Sequence, residues 1–227
     1  KIIGQKINSI TTRGKFIVIE LDDYSLLIHL RMEGKFFFRN KGDEITKHEH
    51  VEFILDNEIS FRYHDTRKFG RMFLTDDLSK CKGLNKLGLE PFDKNINSDY
   101  LLTKFNKSNL PIKELLLDQS IIAGLGNIYA NEVLFLSKIN PFKKGKDITK
   151  NECDNIISSS KEILTNAIID GGTTIKSYTS SLGVTGHYQD KLYVHKRDNM
   201  NCKICNSLIL KDRIGGRSTY YCPNCQK

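Results

Sequence analysis

Residues Asp118–Phe135 read DQSIIAGLGNIYANEVLF. Gly124-Leu125-Gly126-Asn127 stands directly ahead of a run in which Ile128, Tyr129, Glu132, Val133 and Leu136 recur at helical spacing, and Pro141 follows its end. The first N–H groups of a helix have no intrahelical partner and attract anions, and glycines let a ligand approach the backbone closely. Asn127 is placed to add a side-chain donor or to cap the helix. An ordinary helix–turn–helix corner has the same pattern. The stretch therefore predicts helical structure and a candidate phosphate site, without deciding function alone.

On either side the periodicity stays helical. PIKELLLDQ (111–119) reads as a short helix with proline in its first turn. Thr149 and Glu152 form a capping box, Ile156, Ile157, Ile163, Leu164 and Ala167 make the buried stripe that follows, and Gly171-Gly172 stops it. Beyond Lys191 come short strands around Cys202, Cys205, Cys222 and Cys225, two Cys-x-x-Cys pairs, whereas Cys81 and Cys153 stand alone. Two such pairs supply four thiolates for one tetrahedral zinc, a closed site with no position left for water and hence structural. Inside the segment that zinc would hold, DRIGGRSTYYCPNCQ (212–226) places Arg217 just after Gly215-Gly216. The arginine is either a positioned cation at a turn or a solvated surface residue.

Ahead of the helical region the chain reads as sheet. KFIVIEL, LLIHL, KFFFR, HVEFIL, ISFRY and RMFLTD are short β-branched and aromatic runs separated by turn residues. The expected class is α+β: an N-terminal antiparallel β unit, a sandwich or barrel, over 1–88, a linker near 88–97, a helical domain over 98–190, and a small metal-bound hairpin over 191–227. Lys and Arg total 35 against 27 Asp and Glu, a formal net charge of +8. That excess favours a polyanionic partner. No apolar run approaches the ~20 residues of a membrane helix, and no signal-peptide pattern opens the sequence.

AGLGNIYANEVLF resembles the helix–two-turn–helix signature of bacterial formamidopyrimidine-DNA glycosylases, and GRSTYYCPNCQK resembles their C-terminal zinc finger. RGKFIVIEL, HLRMEGKF, KHEHVEF and DTRKFGRM resemble successive segments of their β domain, so the likeness runs the length of the chain. It implies an N-terminal antiparallel β-sandwich, a helix–two-turn–helix domain and a four-cysteine zinc-finger β-hairpin over those same ranges, and a bifunctional enzyme of base-excision repair acting on damaged double-stranded DNA. Such an enzyme removes 8-oxoguanine and formamidopyrimidines through a Schiff base and then cleaves the abasic strand by β,δ-elimination. It further implies that Arg217 contacts the phosphates at the lesion and assists strand cleavage, that Asn127 binds phosphate, that Lys15 belongs to the active site, and that His48 lies near the DNA backbone. Met32, Arg67 and Phe69 correspond to the trio that fills the hole left by the everted base. A base must leave the stack before its glycosidic bond can be reached. Apolar wedges replace the lost stacking, and an arginine can hydrogen-bond the orphaned partner base.

The family's nucleophile is an N-terminal proline followed by glutamate. The sequence begins KIIGQ, and its prolines are Pro91, Pro111, Pro141 and Pro223. A start truncated relative to the family is the expectation, with excision by this polypeptide as given in question. Alternative readings are an endonuclease VIII-type glycosylase for oxidised pyrimidines, a non-catalytic damaged-DNA-binding fragment, and a zinc-ribbon protein that binds RNA or protein. The expected setting is the bacterial cytoplasm at the nucleoid, as a monomer.

Overall fold

A computed structural model of the chain describes residues 1–173 and 186–227. The described residues gather into two compact units, Lys1–Asn85 with Asp170–Gln189, and Lys86–Ile169 with Asp190–Lys227. Residues 174–185 of the 98–190 range expected for the helical domain lie outside the described residues.

Seven strands build the first unit: β1 (Ser9–Arg13), β2 (Phe16–Glu20), β3 (Ser25–His29), β4 (Lys35–Asn40), β5 (Glu49–Ile54), β6 (Ile59–His64) and β7 (Arg71–Thr75). They form two antiparallel sheets, ordered β1-β2-β3-β7 and β4-β6-β5. Ile19, Leu26, Ile28 and Met72 from the first sheet meet Phe36 and Phe53 from the second in one apolar cluster, which makes the unit a sandwich. Each such aliphatic side chain contributes roughly 1.5–3 kcal/mol on burial. The second sheet also buries Arg62, whose guanidinium donates to Glu49, Glu52 and Ser60 and to the carbonyls of Asp43 and Glu44. Sharing out the donors in this way makes its burial tolerable. A short helix, α1 (Lys82–Asn85), follows the last strand.

The second unit holds α2 (Ser98–Phe105), α3 (Ile112–Leu117), α4 (Asn127–Leu136) and α5 (Lys150–Ile169), then a hairpin of β8 (Leu210–Ile214) and β9 (Arg217–Tyr221). The capping box closes as expected: Glu152 Oε2 accepts from Thr149 N at 2.9 Å, and Thr149 Oγ1 accepts from Glu152 N at 3.3 Å. Along α5, Ile156, Ile157, Ile163 and Ala167 are buried, and Leu164 is half-buried at the margin. In α4 the buried positions run consecutively from Ala130 to Phe135, wider than the single stripe of Ile128, Tyr129, Glu132, Val133 and Leu136 that periodicity suggests. The cause is cover on more than one side. Phe135 packs with Val194, Cys202, Ile209, Tyr220 and Cys222 under the hairpin, and Ser137, just past the helix, donates to Ser159 of α5 at 3.0 Å. Glu132, fully buried, accepts from the successive backbone N–H groups of Tyr193, Val194 and His195 at 2.6, 3.0 and 2.8 Å. Among the described residues no helix is long and apolar enough to cross a membrane.

Candidate nucleic-acid interface

In the second unit the turn ahead of α4 and the tip of the hairpin meet. Gly124 has φ +98°, and Gly126 is the N-cap in extended conformation, with no side-chain capping bond. Asn127 is therefore the first helical residue and not a cap. Its Nδ2 donates to the carbonyl of Ser218 at 3.1 Å, which ties the helix start to the residue after Arg217. Lys113, buried on α3, donates from Nζ to the same carbonyl at 2.7 Å and to Thr219 Oγ1 at 2.8 Å. Burial, with Arg217's charge nearby, lowers the Lys113 ammonium to about 7. Arg217 pairs with Ile214 across a two-residue turn in which Gly215 (φ +55°) and Gly216 (φ +75°) are both left-handed. That geometry matches the twist of a tight hairpin and favours glycine. A Cβ on Gly215 would also lie 2.9–3.0 Å from the Glu114 carboxyl end. Arg217 itself is exposed and lines a cleft of about 210 Å³ with Glu114, Leu117, Asp118, Ile214 and Gly215.

The four cysteine sulfurs lie within 4.8 Å of one another, with Cys202–Cys225 at 3.9 Å and Cys205–Cys222 at 3.4 Å, and none is in a disulfide. Sulfurs bound at ~2.3 Å around a tetrahedral zinc stand roughly 3.8 Å apart, so the donor set fits that ion. The thiols pull in opposite directions. Hydrogen bonds from Ser207 and Asn224 lower Cys205 to about 5, whereas burial and the neighbouring sulfurs push Cys225 up. A divalent cation resolves this by stabilising all four as thiolates. The site holds one structural zinc, and it anchors the base of the segment that presents Arg217.

The other expected residues are on the first unit. Met32, Arg67 and Phe69 come together on two loops: Arg67 Nη1 is 3.3 Å from Met32 Sδ, and its guanidinium carbon is 4.6 Å from the Phe69 ring centre. Met32 is 71% exposed and Phe69 51%, an apolar pair presented to solvent beside a cation. His48, half-buried ahead of β5, sets its ring edge-on to His64 at 5.6 Å between centres. Lys15 is exposed in the β1–β2 turn after Gly14 (φ +60°). It lies close enough to His29 that burial, Arg31 and Lys15 together lower that imidazole. Sequence reasoning missed Lys113 and Glu132. Glu132 carried a signal, an acid inside an apolar stripe. Lys113 carried none, because its partners Ser218 and Thr219 are set by tertiary contact.

Comparison with known proteins gives a consistent result. Residues 1–72 match the family model for the formamidopyrimidine-DNA glycosylase N-terminal domain, 87–179 that for its H2TH domain, and 202–227 that for the zinc finger found in FPG and IleRS. A formamidopyrimidine-DNA glycosylase of Oceanobacillus iheyensis is 42% identical over 227 residues, 99% of this chain and 81% of that protein. The structure of Lactococcus lactis Fpg in complex with abasic-site DNA superposes with TM-score 0.90 at 37% identity, covering 99% of this chain and 83% of that one. The complex of the L. lactis protein with FAPY-dG-containing DNA gives TM-score 0.90 at 36% identity, with the same coverages.

Proposed function

The chain belongs to the formamidopyrimidine-DNA glycosylase family, and from that premise we propose specific roles for the residues gathered on its two units. The protein is a DNA glycosylase and lyase of base-excision repair, built as an antiparallel β-sandwich with a helical H2TH region and a zinc-bound hairpin. Its substrate is double-stranded DNA carrying an oxidised purine such as 8-oxoguanine or a formamidopyrimidine, and it acts as a monomer in the bacterial cytoplasm at the nucleoid. Met32 and Phe69 enter the stack as the damaged base leaves, and Arg67 hydrogen-bonds the partner base left behind. Asn127, Arg217 and His48 hold the kinked backbone through its phosphates. Lys15 contributes cationic charge at the reacting nucleotide, and Arg217 stabilises negative charge on phosphate during strand cleavage.

The observation that carries this reading is the Met32–Arg67–Phe69 cluster. Two large apolar side chains stay exposed around one guanidinium, a costly arrangement in water that DNA insertion would use. The experiment compares binding to a duplex with a tetrahydrofuran abasic analogue opposite cytosine and to the undamaged duplex. Preference for the abasic duplex is expected, with loss of that preference in Phe69→Ala and Arg67→Ala. Equal affinity for both duplexes in the wild-type protein would overturn the reading.

A further inference from the structure

The two loops that carry the exposed trio rest on one pair, Tyr63 and Asp65, both buried. Tyr63 donates its hydroxyl to Asp65 Oδ2 at 2.9 Å. The same oxygen accepts from Gly70 N at 2.9 Å, and Oδ1 accepts from Arg67 N at 3.0 Å. One carboxylate thus pins the loop bearing Arg67 and Phe69 at both of its ends. Burial alone would raise the Asp65 carboxyl. The Gly70 N–H, the Tyr63 hydroxyl and the N–H groups of Arg67 and Lys68 outweigh that and hold it below the usual carboxylate range. The acceptor is therefore charged at neutral pH, where its bonds are strongest.

The second loop sits on the same hydroxyl. A Cβ on Gly34 would lie 2.6 Å from Tyr63 Oη and 2.5 Å from the Leu30 carbonyl, which Gly34 N already bonds at 3.1 Å. A Cβ on Gly70 would overlap that hydroxyl outright. Two glycines, one per loop, are required because the phenol oxygen occupies the space where side chains would begin. Thr66 Oγ1 also donates to Glu33, which links the loops above their seat. Met32 is thereby held against Arg67 by the frame beneath it.

We infer that Tyr63 and Asp65 are positioning residues for the wedge, setting the spacing of Met32 against Arg67 and Phe69 and so the preference for damaged over intact DNA without touching DNA themselves. This rests on the reading of the trio as a void-filling wedge. An inserted group must be held within roughly 0.5 Å of its working geometry, and a loop already ordered in the free protein loses less entropy on binding.

The test is a double-mutant cycle read in the ratio of affinities for abasic and undamaged duplexes. Tyr63→Phe removes one oxygen, and Asp65→Asn removes the charge that accepts four donors. Each is expected to lower the ratio roughly tenfold, about 1.4 kcal/mol, while affinity for undamaged DNA and zinc content hold. In a Phe69→Ala background the effect of Tyr63→Phe on the ratio should largely vanish, because the residue acts through the wedge. A merely structural contribution would persist in that background. Should Asp65→Asn fail to fold, Tyr63→Phe carries the cycle. An unchanged ratio in Tyr63→Phe, or strict additivity with Phe69→Ala, overturns the seat and leaves the wedge standing. A wild-type protein without abasic preference overturns the wedge, and the seat with it.

Discussion

Lys113 and Asn127 donate to one and the same oxygen, the carbonyl of Ser218, at 2.7 and 3.1 Å. One donor comes from within α3 and the other from the first residue of α4, so both helices hold the backbone immediately after Arg217. The hairpin tip is fixed from below by two polar bonds as well as by zinc at its base.

Replacing Asn127 by Ala removes one of those bonds and a donor beside the helix start. DNA affinity is expected to fall across all sequences alike, by roughly 1 kcal/mol or somewhat more, since the role proposed for Asn127 is a contact to phosphate and not to bases. Affinities for several unrelated undamaged duplexes, measured at two salt concentrations, check this. A loss confined to one sequence would contradict it.

Lys113 gives a pH dependence. Its ammonium is lowered to about 7 in the folded protein from an ordinary value near 10.5, so between those values the unfolded chain holds a proton that the folded one has released. Stability from this group therefore rises with pH from about 7 toward 10.5 and is flat below 7. Urea unfolding of the zinc-loaded protein between about pH 6.5 and pH 9 should show the rise, and Lys113→Met should flatten it. An identical slope in the variant would show that another group is responsible.

Removing zinc should disorder the hairpin selectively. Chelation, or Cys222→Ser, is expected to weaken DNA binding strongly while the sandwich keeps its own unfolding transition, because Ile19, Leu26 and Ile28 belong to a separate core. Metal analysis should find about one zinc per chain in the parent protein and little in the variant. Collapse of both transitions together would count against separate cores.

Gly215→Ala tests the turn. The position has φ +55°, and a methyl there meets the Glu114 side chain at 2.9–3.0 Å. A loss of roughly 1 kcal/mol or more is expected from backbone strain. Glu114→Ala in the same chain should recover the steric part and not the strain. Thermal unfolding of the single and double variants separates the two.

What the sequence made legible was whatever local pattern dictates. The Thr149–Glu152 box, the start of α3 after Pro111, the individual strands and the cysteine pairs all follow from spacing, because each depends on neighbours a few residues away. The strand pattern by itself left sandwich and barrel open, since β3 closes its sheet on the distant β7. Asn127 was half legible. Its place at the helix start was readable, but its side chain turns to Ser218 on the hairpin and leaves the cap to Gly126. Lys113 read as one more helical residue, since nothing near it announces a partner 106 positions away at Thr219. Tyr63 and Asp65 looked like the end of a strand and a turn. Only the assembled loops show that Gly34 and Gly70 are small to make room for a hydroxyl.

The three N–H groups gathered by Glu132 have a consequence for hydrogen exchange. Tyr193, Val194 and His195 lie in turns, outside helix and strand, where amides ordinarily exchange with water quickly. Here each is bonded to a carboxylate with no solvent exposure. Their exchange should be as slow as that of the α4 interior, occurring only when the whole unit opens. Glu132→Gln, which exchanges the shared charge for a single neutral acceptor oxygen, should release them while the amides of α5 stay protected. A stretch without regular structure would then report the global stability of the unit that carries the zinc.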